Sequence, residues 1–195
     1  MERNQNLNLK QPFMNTSAKG TSSNVESFNL KQHLLTFGAG EMELLKSAAC
    51  NDKDLFNQFY GWIFSDNRRL AWRSCWIIDT ASEKQPDLLS NKIPEIILAL
   101  SATTDSSLKR HFTRILCRYQ IPEIYLVIVI DRCFELLAPS EPAAVRVNAM
   151  QLLFNLSQHL SDLKVELKSV LESLIDEGGS AGFINRALKL AKQLQ

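Results

Sequence analysis

No glycine stands between Trp62 and Glu177. All seven lie outside that stretch, at Gly20, Gly38, Gly40, Gly61, Gly178, Gly179 and Gly182. A sheet protein needs turn glycines at intervals and a phosphate-cradling fold needs a glycine-rich loop, so both are excluded there. Helix–helix corners built from proline and short polar runs need neither, and the chain is expected to be all-α. The four cysteines, Cys50, Cys75, Cys117 and Cys133, include no CxxC pair and have no histidine at ligand spacing. That excludes a zinc motif and a disulfide framework and leaves reduced thiols, as in a cytoplasmic protein. His33, His111 and His159 share no metal-binding spacing and stand near no candidate nucleophile. Neither a metal nor a cofactor is expected, and His111 is assigned to a surface or an interface.

Charge of one sign is lacking too: 22 Lys and Arg balance 21 Asp and Glu, a net charge of +1. A chain devoted to non-specific nucleic-acid binding carries a basic excess instead. The apolar run at residues 125–130 is far short of the ~20 residues that a membrane-spanning helix requires. The first residues, MERNQNLNLKQPF, are polar where the apolar core of a secretory leader would sit, and neither end has a lipidation signature. The expected address is the cytoplasm.

What is present is enough apolar residue, 45% of 195, to bury the core of one domain or of a small repeat array with a tail. Residues 1–40 are rich in Asn, Ser, Thr, Gln and Lys, and their large apolar side chains are widely spaced. Such a segment buries too little surface to offset its ordering entropy, so a largely disordered tail is expected. Leu30, Leu34, Leu35 and Phe37 are the exception and suit one short docked turn. From Glu41 the period becomes helical. Met42, Leu45 and Ala49 share a face, residues 51–54 offer a helix start, and Leu55, Phe56, Phe59, Tyr60, Ile63 and Phe64 form a wide apolar stripe.

A repeat follows. With Leu70, Leu108, Val145 and Phe183 in register, the spacings are 38, 37 and 38 residues. The columns then agree in character: Ser74, Phe112, Ala149 and Ala187; Ile77, Ile115, Leu152 and Leu190; Ile78, Leu116, Leu153 and Ala191; Ala81, Tyr119, Leu156 and Leu194. Each set falls at i, i+4, i+7, i+8 and i+11, one face of a helix. Asp66, Asp105, Glu141-Pro142 and Ser180 stand upstream as helix starts. A second helix recurs in each unit, opening at Pro86-Asp87, Pro122-Glu123 and Ser161-Asp162, with a carboxylate suited to the positive end of the helix dipole. Pro94 should kink or split the first of these helices. The middle one, apolar nearly all round at residues 124–130, stays helical because the run continues through Leu137, past strand length, as befits a central helix covered on several sides.

A 37–38-residue unit of two antiparallel helices resembles the HEAT and armadillo class of α-solenoids, over roughly residues 50–195. Val145-Arg146 matches the Val-Arg pair of strong HEAT units, whereas Leu70-Ala71 and Leu108-Lys109 do not. The resemblance implies an α-α superhelix of about three to four repeats with capping helices. Residues 41–64 would form one cap, 66–103, 105–138 and 141–177 the repeats, and 180–195 the terminal helix.

Two constellations carry the functional expectation. Trp72 and Trp76 lie one turn apart, opposite the apolar stripe, and the same columns of the next unit hold Arg110 and Arg114, with Arg118 a turn beyond. Indole and guanidinium planes stacked across units would give a recognition patch for a partner protein, or a contact covered by the N-terminal segment. This favours a non-enzymatic scaffold or adaptor. The alternative is a nucleic-acid-binding protein resembling the DNA alkylation-repair glycosylases, in which Asp79 would be the catalytic carboxylate beside Trp76 and Arg114. Against it, a solvated helix surface with ordinary ion pairs explains the same residues.

Overall fold

Four of the helices begin where a short polar side chain, Asp52, Asn67, Asp105 or Ser180, accepts from the first backbone N–H groups, and a proline stands in the first turn of another. The computed structural model describes residues 30–36 and 38–194. Among the described residues every regular element is helical and there is no strand. Residues 30–36 form a short helix, α1, in a unit of its own. Of the largely disordered tail expected over residues 1–40, residues 1–29 and 37 lie outside the described residues, whereas residues 30–36 are helical and the next helix already begins at Ala39.

The second unit contains α2 (Ala39–Asn51), α3 (Lys53–Trp62), α4 (Arg68–Lys84), α5 (Ile93–Ala102), α6 (Ser106–Leu116), α7 (Leu126–Glu135), α8 (Ala143–Ser157), α9 (Ser161–Glu177) and α10 (Ala181–Gln193). Asp52 caps α3 by accepting from the Asp54 and Leu55 N–H groups, and Ser180 caps α10 by accepting from Phe183. At α4 the cap is Asn67, one residue beyond the expected Asp66, because its Oδ1 reaches the Leu70 N–H at 3.1 Å. Asp105 accepts from the Ser107 and Leu108 N–H groups and from Arg68. Burial alone would raise its pKa, but those donors hold it below the ordinary carboxylate value. Pro94 does not interrupt a helix. It lies in the first turn of α5, and Pro86–Leu88 form a separate 3₁₀ turn before it. Gly178, at φ 80°, makes the corner before α10, a conformation that suits glycine.

The leading helices stack in the order α4, α6, α8, α10, and the trailing helices α5, α7 and α9 pack along them. At the other end α2 and α3 both lie against α4. This is an α-solenoid. Of the aligned columns, Ser74, Phe112, Ala149 and Ala187 are buried throughout, as are Ile77, Ile115, Leu152 and Leu190. Leu108, Tyr119, Leu156 and Ala191 are only half-buried. Residues 126–135 are helical as expected, but not because they are covered: only Val129 and Cys133 of α7 are buried.

Polar side chains tie each unit to the one before it through backbone carbonyls. Asn148 donates to the Arg110 carbonyl at 3.0 Å, and Asn155 donates to the Cys117 carbonyl at 2.9 Å, where α6 ends. Arg132 donates to the Leu100 and Thr103 carbonyls at 3.2 and 2.8 Å, placing a cation on the negative end of α5. Arg146, of the Val-Arg pair, does the same for the Leu137 carbonyl at 2.8 Å and covers the Phe183 ring at 3.9 Å. Ion pairs Arg68–Asp105 and Lys109–Glu141 add further crossings between units.

In equilibrium urea unfolding, Phe112→Ala should lose about 3–5 kcal/mol, the cost of an unfilled core site. Asn155→Ala should lose about 1 kcal/mol through the orphaned Cys117 carbonyl. An Asn155→Ala protein as stable as the parent would show that this crossing contributes nothing.

Candidate functional site

Helix α4 has two sides in use. One holds the buried column Ser74, Ile77, Ile78 and Ala81. A second carries Trp72 and Trp76, whose ring centroids are 6.2 Å apart with planes 23° from parallel, each indole half-buried. A cation lies over each. Lys46 of α2 places its Nζ 3.6 Å from the Trp76 ring centroid, and Arg73 lies 5.6 Å from that of Trp72. Lys46 also donates to Glu43 at 2.6 Å.

Two turns beyond Trp72 on that side of α4 stands Asp79, which has no exposed surface. Its Oδ1 accepts from Arg118 at 2.8 Å and its Oδ2 from His111 Nδ1 at 2.8 Å, while Arg114 Nε lies 3.6 Å away. Arg118 also donates to the Asp79 carbonyl and to Ser82 Oγ, both at 3.0 Å, and Arg114 pairs with Glu83 at 2.6 Å. A buried carboxylate without donors would be driven toward its neutral form. Here burial pushes the Asp79 pKa up, and the hydrogen bonds of His111 and Arg118 outweigh it and hold the group below the ordinary carboxylate value. An ionised Asp79 is acceptor-only, so His111 carries a proton on Nδ1. Arg110 Nη2, a donor only, lies 3.2 Å from Nε2, which must therefore accept. These roles fix the neutral Nδ1–H tautomer of His111.

The expectations divide accordingly. Trp72 and Trp76 do meet, but on each other, and the cations over them are Lys46 and Arg73 instead of the arginines of the next unit. Arg114 and Arg118 turn to the carboxylates of α4, because a buried charge attracts a guanidinium more strongly than a half-exposed ring does. Arg110 stays exposed and, among the described residues, has no carboxylate within ion-pair distance. His111 is not a surface residue: it is buried between α4 and α6. Asp79 is likewise no part of a solvated surface. Burial also keeps two of the thiols protonated: Cys117 is pushed up to about 12, and Cys75 is raised well above its ordinary value by burial and then by the Asp79 charge. The cysteines are free, and among the described residues no group of three or more His, Cys, Asp or Glu is placed to hold a metal ion. No described helix is long and apolar enough to cross a membrane.

Charge is sorted by layer. Helices α4, α6, α8 and α10 carry eleven Lys and Arg against two Asp and Glu, whereas α5, α7 and α9 carry three against eight. The near-zero net charge therefore conceals a basic layer and an acidic one.

The family model of the HEAT repeat domain matches residues 30–193, and the chain belongs to the HEAT repeat family. HEAT repeats are commonly protein-interaction scaffolds. Neither the curated proteins nor the solved structures contain a match to the chain.

Replacing Asp79 with Asn should cost about 3–5 kcal/mol at neutral pH, because Arg118 loses its counter-charge and the buried His111 loses the carboxylate that accepts from its Nδ1. Since the folded state lowers the pKa of Asp79, its stabilisation is complete above the unfolded value of about 3.9 and drains away as pH falls through the lower folded value. Chemical unfolding across that range should show the two proteins converging only in acid. Convergence near pH 7 would contradict the assignment.

Proposed function

We propose that the chain is a protein-binding scaffold that holds its partner on the leading helices, with Trp72, Trp76, Arg110 and Arg114 in contact and Arg118 bracing them from below. The observation that supports this most is Arg110: exposed, without a carboxylate counter-charge among the described residues, and on the same layer as the stacked indoles. Aromatic rings and arginines dominate the energetics of protein interfaces, since both cover apolar area while offering directional contacts. The surplus of positive charge along α4, α6, α8 and α10 suits a partner with an acidic surface. The cytoplasm is the compartment this reading assumes, in keeping with four free cysteines.

The same basic layer supports a second reading, in which the partner is nucleic acid. A glycosylase-like activity is the weaker form of it. Asp79, which would have to act as the carboxylate, is sealed from solvent with both oxygens engaged.

The deciding measurement is co-purification with the intact chain, followed by affinity measurement on the recovered partner. Arg110→Glu should weaken a protein partner about thirtyfold, as expected of an anchor worth about 2 kcal/mol, and Trp72→Ala should weaken it comparably. Recovery of no partner, or one indifferent to both substitutions, defeats the scaffold reading. Binding to a short DNA duplex that falls steeply with salt, with base release from alkylated DNA lost in Asp79→Asn, would establish the second reading instead.

A further inference from the structure

The trailing layer presents a surface of opposite character, centred on α7. Ile124 is 84% exposed and Val127 72%, with Ile128 partly open on the same side. Large aliphatic side chains so exposed side by side, on the 3₁₀ turn Glu123–Tyr125 and the first turn of α7, are uncommon on a surface with no partner. Two carboxylates bracket them: Glu123 one residue before and Asp131 one turn after, both exposed. Among the described residues neither has a cation within ion-pair distance, while the next acid along the helix, Glu135, is paired with Arg132 at 2.7 Å. A cleft of about 700 Å³ opens beside this stripe. Leu116, Ile121, Leu126, Leu152, Leu156 and Leu160 line it, and Glu123 stands at its edge, in the turn that carries Ile124.

We propose that this face docks an amphipathic helix of another protein, with aliphatic side chains flanked by lysine or arginine. The aliphatics would lie along Ile124, Val127 and Ile128, one of them reaching the cleft, and the flanking cations would meet Glu123 and Asp131. The spacing fits: Glu123, in the 3₁₀ turn before α7, and Asp131, within α7, stand eight residues apart, about two turns of a helix laid alongside. Charge complementarity selects this occupant over a second copy joined α7 to α7, because an antiparallel pairing would set the Glu123 of one chain against the Asp131 of the other. The surface is distinct from the leading-helix site and calls for a partner of opposite charge, so a single solenoid would hold two different proteins.

The test uses the intact chain and a synthetic peptide of about 18 residues, long enough to be helical, with leucines on one face and lysines beside them. A control peptide has glutamate in place of each lysine. Fluorescence anisotropy should give saturable binding of the lysine peptide, weakened at least about tenfold in the control and by Val127→Lys. Val127 is so exposed that this variant should melt with the parent protein, which keeps a loss of binding separable from a loss of fold. Arg110→Glu, on the other layer, should leave affinity within about twofold, so failure here and failure of the leading-helix reading are distinguishable. The proposal is overturned if both peptides bind alike, or if Glu172→Lys on α9 weakens binding as much as Val127→Lys, the mark of diffuse adsorption to acidic helices. A dimer in light scattering that Val127→Lys makes monomeric would assign the face to a second copy and overturn it equally.

Discussion

A helix pair of this chain cannot cover its own apolar face. Phe112, Ile115 and Leu116 of α6 are buried only because α4 and α8 lie on either side. The same dependence runs from α4 to α10, and it is what makes the stack a single structure of repeated parts. Side-chain donors reinforce it by spending themselves on carbonyls of the preceding unit, as Asn148, Asn155 and Arg132 do. Two of those carbonyls, at Cys117 and Thr103, close helices and would otherwise lack partners. Apolar burial sets the layers together, and these donors set their register.

Within that frame Asp79 is the most consequential polar residue. A carboxylate without exposed surface is tolerable only when its neighbours supply charge and hydrogen bonds, and His111, Arg114 and Arg118 all come from or just beyond α6. The cluster therefore fixes how α6 lies on α4, and so where Arg110 and the tryptophans stand relative to each other. It acts on the surface from below.

The all-helical architecture was legible because the period of 37–38 residues and the 3.6-residue stripe appear together, and the glycine-free stretch left no other fold. A stripe reports one face of a helix, however, and a leading helix in a solenoid has three neighbours. Asp79 falls at i+9 from Leu70, opposite the stripe, where pattern alone implies solvent; α6 covers it. Of the two places assigned to His111, a surface or an interface, it takes the second, buried where α6 meets α4. Trp72 and Trp76 were correctly separated from the core, yet their cations, Lys46 and Arg73, come from α2 and from the helix itself, which column matching between units does not compare. At α7 the apolar composition suggested cover on several sides, whereas composition gives only the tendency to be covered and not the covering element.

The sorting of charge between the two layers has an effect that begins before any contact. Within the unit that begins at Gly38 the leading and trailing helices carry opposite sign, which gives their stack an electric dipole although the net charge of the chain is close to nothing. An approaching protein would feel a torque within a few ångströms of the screening length, about 8 Å in physiological salt, and arrive already turned to the matching side. Ionic strength would then govern how quickly the correct side is found, even where it leaves the strength of the finished complex nearly unchanged.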